Sequence, residues 1–272
     1  MYDIVYSITV HEAVDCYYDM IRNLFYFNKG IRIFVIVHCN PFMYSALKSK
    51  PIQHVALNPN ATNKTYFTYD LPEAHIDNYM YCFNNGIQCK YYITYASNCM
   101  FHKQLELSFI ERLFIEEPEY EAQKYHTAER MSRWPSVNFF LRNTYLINRL
   151  KELGMGEIYP YQHEGVVFES YIYKELADFL ITNNIKSMIK YPYACFEELL
   201  IPTVYVNIKK QGPVNICRLF WCLTPTIEEI KLLVEPAVKT IERKYDNEVR
   251  VWLREITNSY EGTELFEFEF HA

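Results

Sequence analysis

Glycine is scarce in this chain of 272 residues, with seven in all, at Gly30, Gly86, Gly154, Gly156, Gly165, Gly212 and Gly262. No spacing among them makes G-x-G-x-x-G or G-x-x-x-x-G-K-[ST], the turns that bring backbone N–H groups onto a dinucleotide or a triphosphate, so Rossmann dehydrogenases and P-loop ATPases are disfavoured. Positive charge is short too. The 27 Lys and Arg against 33 Asp and Glu give a net charge of -6, which leaves no cationic field for a polyanion. Nucleic acid is therefore not the expected partner, and any phosphate contact must be local. The chain has no D-x-D, so a divalent cation is not indicated, and no G-x-S-x-G elbow, so a serine hydrolase of the α/β-hydrolase type lacks its defining turn.

Eight cysteines form no C-x-x-C pair and have no histidine at zinc-ligand spacing. Several lie in apolar, strand-like runs, where a reduced thiol behaves as a small buried hydrophobe, and free thiols are expected. No apolar run approaches the ~20 residues of a membrane helix. The first residues, MYDIVYSITVHE, lack the basic start and apolar stretch of a signal peptide. A soluble, cytoplasmic protein with no transmembrane segment is expected, and the sequons at Asn60 and Asn63 then read as chance matches.

What the chain has in excess is aromatic rings: 25 Tyr, 18 Phe and 3 Trp. Such rings suit a packed core and equally suit the faces of sugars and bases. DIVYSITV reads as a strand, the stretch through CYYDMIRNLFYF as a helix stopped at Gly30, and IRIFVIV as a second buried strand. A helix through SALKSK leads to QHVAL. DLPEAHIDNYMYCFNNG reads as a helix with Asp70 as N-cap, Pro72 in its first turn and Gly86 at its close, and KYYITYA as the next strand. Short apolar strands alternating with helices predict an α/β fold with a mostly parallel central sheet flanked by helices.

Ligands of such a sheet sit at the carboxyl ends of its strands, here at His11-Glu12, His38-Cys39-Asn40 and Ser97-Asn98-Cys99. Further on, FFLRNTYLINRLKELG reads as one helix, GVVFES as a strand, ESYIYKELADFLITNN as a helix, VNICRLFWCL as one strand and TPTIEEIKLLVE as a capped helix. The acidic stretch from Glu116 to Glu121 reads as a solvated face or loop. One domain is expected over 1–272, with a nucleotide-binding half at 1–103 and an acceptor and catalytic half at 104–272.

The pair Glu197-Glu198 lies beside LLIPT at the start of a helix or its approach, where partial burial would raise a carboxyl pKa toward that of a useful general base. The plainer alternative is a helix N-terminal carboxylate answering the macrodipole. Arg243-Lys244 is a basic doublet that could hold a leaving diphosphate or decorate a surface. His11-Glu12 has no third ligand near it in the chain and reads as loop polar groups.

Several blocks, taken in order, resemble the core-2/I-branching glycosyltransferases. IVYSITVHEAVDCYYDMIRNLFYFNKGIRIFVIVHCNP is similar to that family's Y-S-I-x-V-H strand, helix and second strand ending V-H-x-D. YYITYASNCMF is similar to the strand ending in its L-S-E-S-C-x-P or L-C-G-M-D-F-P element, and HEGVVFESYIYKELADFL resembles its G-S-Q-W-F-x-L-x-R segment and the following helix. FEELLIPT is similar to D-E-H-Y-L-P-T of the plant members, WCLTPTIEEIKLL to a tryptophan before H-P and a helix, and IERKYD to F-A-[NR]-K-F-D. The blocks span about residues 4 to 246.

The resemblance implies a GT-A-like, inverting glycosyltransferase that needs no metal or other cofactor. It would move a sugar such as N-acetylglucosamine, xylose or glucuronate from a UDP-sugar to a glycan hydroxyl. By the same resemblance Glu198 is the catalytic base, with Glu197 the register alternative, and Lys244 holds the diphosphate, assisted by Arg243, Arg218 or Arg254. Val10, His11, Asn40, Ser97 and Asn98 fall at the nucleotide sugar, with Asn40 replacing the family's aspartate near the base. Glu164 and Trp221 fall on the acceptor side. The family's animal Golgi members have a membrane anchor and a cysteine framework that this chain lacks, which implies a cytosolic or virus-encoded relative. Two rivals remain open: a carbohydrate- or nucleotide-binding module on the same fold without chemistry, and an interaction protein with no small-molecule site.

Overall fold

The structure is a computed structural model and describes residues 1–10, 14–60, 62–64, 68–116, 135–220, 225–240 and 248–258. In chain order the elements are β1 (Tyr2–Val10), α1 (Val14–Phe27), β2 (Ile33–Cys39), α2 (Pro41–Leu47), β3 (Val55–Leu57), α3 (Asp70–Asn84), β4 (Cys89–Ala96), β5 (Cys99–Phe101), α4 (Leu107–Glu116), α5 (Pro135–Leu141) and α6 (Thr144–Glu152). There follow β6 (Val166–Glu169), α7 (Ser170–Thr182), a 3-10 turn at Ile185–Met188, α8 (Phe196–Lys209), β7 (Val214–Asn215), β8 (Cys217–Phe220), α9 (Ile227–Lys231), β9 (Ala237–Thr240) and α10 (Glu248–Asn258).

Six strands form the central sheet in the order β3-β2-β1-β4-β6-β7. The first four are parallel, while β6 runs antiparallel to β4 and β7 antiparallel to β6. A second sheet has the order β5-β9-β8. The expected α/β architecture, a mostly parallel central sheet flanked by helices, is what the structure has. The strands are apolar over most of their length because both faces are covered. Val5, Ile36, Tyr92 and Phe168 point to a core shared with α3, α7 and α8. Their chain neighbours Ile4, Tyr6, Val35, Val37, Tyr91 and Ile93 point to a core shared with α1 and α4, as the two-residue period of a strand requires.

Toward the carboxyl ends of the strands the first of these faces turns polar. Ser7 of β1 stands opposite Ile36 and Thr94, and Thr9 stands opposite His38, so Ser7, Thr9, His38 and Thr94 continue the face that begins at Val5, Ile36 and Tyr92. Ser7, His38 and Thr94 are buried there. A face that is apolar at one end of a sheet and polar at the other places buried hydrogen-bonding groups where a ligand would lie.

Four sequence readings change. FFLRNTYLINRLKELG is two helices broken at Asn143, whose buried amide accepts from Lys190 N at 2.9 Å and Tyr191 N at 2.8 Å and donates to Tyr191 O at 3.0 Å. VNICRLFWCL is two strands in different sheets. Ile216 between them donates to Gly165 O and accepts from Ala237 N, and Asn215 Oδ1 takes the Cys217 N–H at 2.6 Å. Asp70 is the first residue of α3 rather than its cap, its N–H being taken by the Thr68 hydroxyl at 3.2 Å. The capped helix at TPTIEEIKLLVE shortens to Ile227–Lys231, with Thr226 and Glu229 making a reciprocal capping box.

Candidate active site

Two features occupy the carboxyl end of the central sheet. The first is a cavity of about 80 Å³ beyond β1 and β2, lined by Thr9, Val10, His38, Asn40, Thr62 and Lys64 among others. Val10 and Asn40, which sequence reasoning assigned to the nucleotide sugar, thus meet in one pocket. Asn40 caps α2, its Oδ1 accepting from Met43 N at 2.8 Å, with Pro41 in the first turn. Lys64 Nζ lies 3.1 Å from Glu73 Oε2, and Lys186 holds the other oxygen of that carboxylate at 2.6 Å. Burial, and then the Lys64 charge, lowers the His38 pKa to about 4.

The second feature is a buried cluster of carboxylates. Glu197 and Glu198 occupy the first turn of α8, which continues through Pro202. The Glu198 carbonyl accepts from Tyr161 N at 2.8 Å, and the Thr203 hydroxyl accepts from Tyr159 N at 2.8 Å. The segment before β6 is thereby tied along α8 and delivers Glu164 to the same place. Glu164 Oε1 accepts from Lys239 Nζ of β9, a close ion pair. Burial opposes both charges, but each overrides it in the other, so the Glu164 carboxyl sits below its ordinary range and the Lys239 ammonium above.

Glu197 and Glu198 behave differently. Burial, and then the Glu198 charge, pushes the Glu197 pKa well up. Burial and the Glu164 charge push Glu198 up to about 8, against the pull of the Cys195 thiol and Lys239. One oxygen of each acid, Oε2 of Glu164, Glu197 and Glu198, is buried with no hydrogen-bond partner among the described residues. Buried acceptors without donors mark a place where something else must supply them.

Gly165 lets Glu164 sit so close. It has φ +76°, its N–H is bonded to Thr94 O at 2.8 Å, and a Cβ there would lie 2.2 Å from Cys217 Cβ. No other residue type fits that turn without moving β8.

Between cavity and cluster runs a buried polar chain. Asn58 Nδ2 donates to Asn78 Oδ1 at 2.9 Å, and Asn78 Nδ2 to Ser7 Oγ at 2.9 Å. Ser7 Oγ lies 2.7 Å from His75 Nδ1, and His75 Nε2 lies 3.0 Å from His163 Nε2. Burial lowers the His75 pKa well below its ordinary value, and burial brings His163 down to about 4, so both rings are neutral at neutral pH.

The other expected site residues divide into two groups. Ser97 is buried with its Oγ unpartnered among the described residues, and Asn98 follows it in the turn between β4 and β5. His11, Trp221, Arg243 and Lys244 lie outside the described residues, as does most of the acidic stretch up to Glu121. Of the alternative arginines, Arg254 is hydrogen-bonded to Asp19 at 2.8 Å and Arg218 pairs with Glu235 at 3.7 Å. Lys239, Lys64, His75 and His163 were missed. A polar residue every second position on one strand face, at Ser7, Thr9, His38 and Thr94, is the signal that could have pointed to the histidine chain. Lys239 left none, because AVKT shows no pattern of its own.

Among the described residues no group of three or more histidine, cysteine, aspartate or glutamate side chains is arranged to hold a metal ion. Nor is any helix among them long and apolar enough to cross a membrane. No protein-family model matches the chain, and no curated protein matches it. Among solved structures it is similar to the crystal structure of an active-site mutant of LgtC, a glycosyltransferase, at 8% identity over 96% of this chain and 99% of that chain, with a TM-score of 0.43.

Proposed function

We propose that the chain is an inverting glycosyltransferase that moves a sugar from a UDP-sugar to a glycan hydroxyl without a metal. Glu198 carries the reading. It is a desolvated carboxyl in the first turn of α8 with a pKa of about 8, at the carboxyl end of a mostly parallel sheet and beside a second acid and a lysine. A base of that strength near neutral pH can take the acceptor hydroxyl proton as the oxygen attacks the anomeric carbon and the nucleoside diphosphate leaves. Glu197 is the alternative base.

Val10, His11, Asn40, Ser97 and Asn98 would face the nucleotide sugar. Glu164 and Trp221 would face the acceptor, and Arg243 and Lys244 the diphosphate. Lys239 joins them as a cation that could shift from Glu164 to developing phosphate charge. Preorganised charges of this kind are worth about 3 kcal/mol each in a water-poor site. The test is transfer from a panel of UDP-sugars by wild type and Glu198→Gln, with UDP binding followed by thermal shift. Wild-type transfer together with a variant that binds UDP but does not turn over supports the reading, and near-normal turnover by the variant refutes it.

The pairing of Lys239 with Glu164 favours a second reading, a nucleotide- or carbohydrate-binding module without chemistry. Raised melting temperature with UDP but no transfer from any donor would select it.

A further inference from the structure

Outside the site, one stretch of surface stands apart in composition. Residues 135–151 and 183–195 together contain Arg142, Arg149, Lys151, Lys186 and Lys190 and no aspartate or glutamate, in a chain whose net charge is -6. The two segments, α5 with α6 and the connection between α7 and α8, are joined by the buried Asn143 amide. Its Oδ1 accepts from Lys190 N and Tyr191 N, and its Nδ2 donates to Tyr191 O and to Phe139 O. Around that amide four rings are exposed, Phe139 at 41%, Tyr145 at 57%, Tyr191 at 53% and Tyr193 at 67%. Among the described residues of the two segments these rings are the only large apolar side chains so exposed, with no aliphatic chain beside them. Cations stand over two of them, the Arg142 guanidinium 5.1 Å from the Phe139 centroid and Lys190 Nζ 5.6 Å from that of Tyr145. Arg149 is neutralised by Glu152 and Lys186 by Glu73, whereas Arg142 and Lys190 meet no carboxylate among the described residues.

This platform adjoins the start of α8. The Phe140 ring of α5 packs at 5.5 Å on Phe196, the first residue of α8. Tyr193 precedes Glu198 by five residues, so its Cα lies within about 18 Å of that of Glu198. On its other side Lys186 binds the same Glu73 carboxylate as Lys64 of the cavity beyond β1 and β2. We propose that the platform holds an acidic oligosaccharide, a chain of uronate-bearing sugars whose end carries the acceptor hydroxyl to Glu198. That this chain is the acceptor rests on the glycosyl-transfer reading; that it binds here rests on the surface alone. The rings stack on the apolar faces of successive sugars, and the tyrosine hydroxyls meet sugar hydroxyls. Arg142 and Lys190 take the carboxylates, the guanidinium through two parallel hydrogen bonds. A membrane surface would call for aliphatic side chains beside the rings and a larger polybasic cluster, and the net negative charge of the chain disfavours a nucleic acid.

The experiment is titration calorimetry of the full chain, without donor, against hexasaccharides of galacturonate, guluronate and hyaluronan, each beside its uncharged methyl ester, followed by transfer assays on the same hexasaccharides. At least one acid form is expected to bind, about tenfold tighter than its ester, with affinity that falls as salt is raised. Tyr193→Ala should weaken that binding about fivefold, the worth of one stacked ring. Arg142→Gln combined with Lys190→Gln should weaken it about tenfold and flatten its salt dependence, and KM for transfer should rise by the same factors. Tyr171→Ala removes an equally exposed ring at the start of α7, beyond the opposite end of the sheet, and should change neither. No binding by any acid form, equal binding of acid and ester, or wild-type affinity in the folded platform variants overturns the proposal, as does tighter binding to phosphatidylserine vesicles or to a single-stranded oligonucleotide. Binding with the stated losses in a chain that transfers no sugar from any UDP-sugar leaves the platform standing as a glycan-binding surface and removes the transfer reading. Transfer to an acidic hexasaccharide with the same KM in wild type and platform variants keeps the transfer reading and removes the platform from acceptor binding.

Discussion

Replacing Glu198 by glutamine separates the cost of a buried carboxylate from its use. The carboxyl has an ordinary value of 4.5 and stands at about 8 in the folded chain, so the native state holds the proton more tightly than the unfolded state does. Below pH 4.5 both states are protonated and the group costs nothing. As pH rises from 4.5 to about 8 the unfolded chain ionises first and stability falls, levelling off above the folded value. At about 1.4 kcal/mol per unit, that interval amounts to about 5 kcal/mol at pH 8 and above.

Glutamine keeps the shape and cannot ionise. Glu198→Gln should therefore match the wild type in stability at pH 4 and exceed it increasingly toward pH 8, while transfer at pH 8 and above falls by at least about a hundredfold, a gap that narrows as the wild type loses its base form at lower pH. Wild-type kcat should rise with pH and flatten above about 8, because the working form is the deprotonated one. Urea unfolding of both proteins at a series of pH values reads the first effect, and initial rates read the second. A stability difference that does not change with pH would show that the carboxyl is not desolvated in the native state, and the argument for a tuned base would fail with it.

Glu164→Gln removes the charge that helps raise Glu198 and leaves Lys239 unneutralised. The midpoint of the pH–rate curve should move to lower pH, and stability at neutral pH should drop by about 3 kcal/mol, both measurable on one purified variant. Asn143→Ala strips acceptors from Lys190 N and Tyr191 N in the segment leading to α8. Unfolding in urea should register a loss of about 2 kcal/mol, and a loss under 0.5 kcal/mol would mean that water replaces the amide. Asn40→Ala should cost about 1 kcal/mol through the lost cap of α2 and should also weaken UDP binding in titration calorimetry, whereas unchanged affinity would take the cavity beyond β1 and β2 out of the nucleotide site.

The sequence alone determined most of the local structure. Alternating apolar strands and helices through Ala96 define a parallel sheet because the pattern of burial is written residue by residue, and the cap expected on TPTIEEIKLLVE holds in the structure at Thr226, whereas the one expected at Asp70 does not. The placement of Glu197 and Glu198 at a helix start was legible too, since an acidic pair before LLIPT needs only its neighbours to be understood. The breaks at Asn143 and Ile216 were not legible. Their partners at residues 190, 191, 165 and 237 are distant in the chain, and a local pattern contains no information about them.

The site followed the same division. Tertiary structure alone decided that Glu164 meets Lys239, that Glu164 in turn raises Glu198, and that Ser7, His75 and His163 join into one chain. Desolvation and Coulomb interaction depend on which groups share a volume, and two strands, two helices and a glycine turn had to fold together before these side chains shared one.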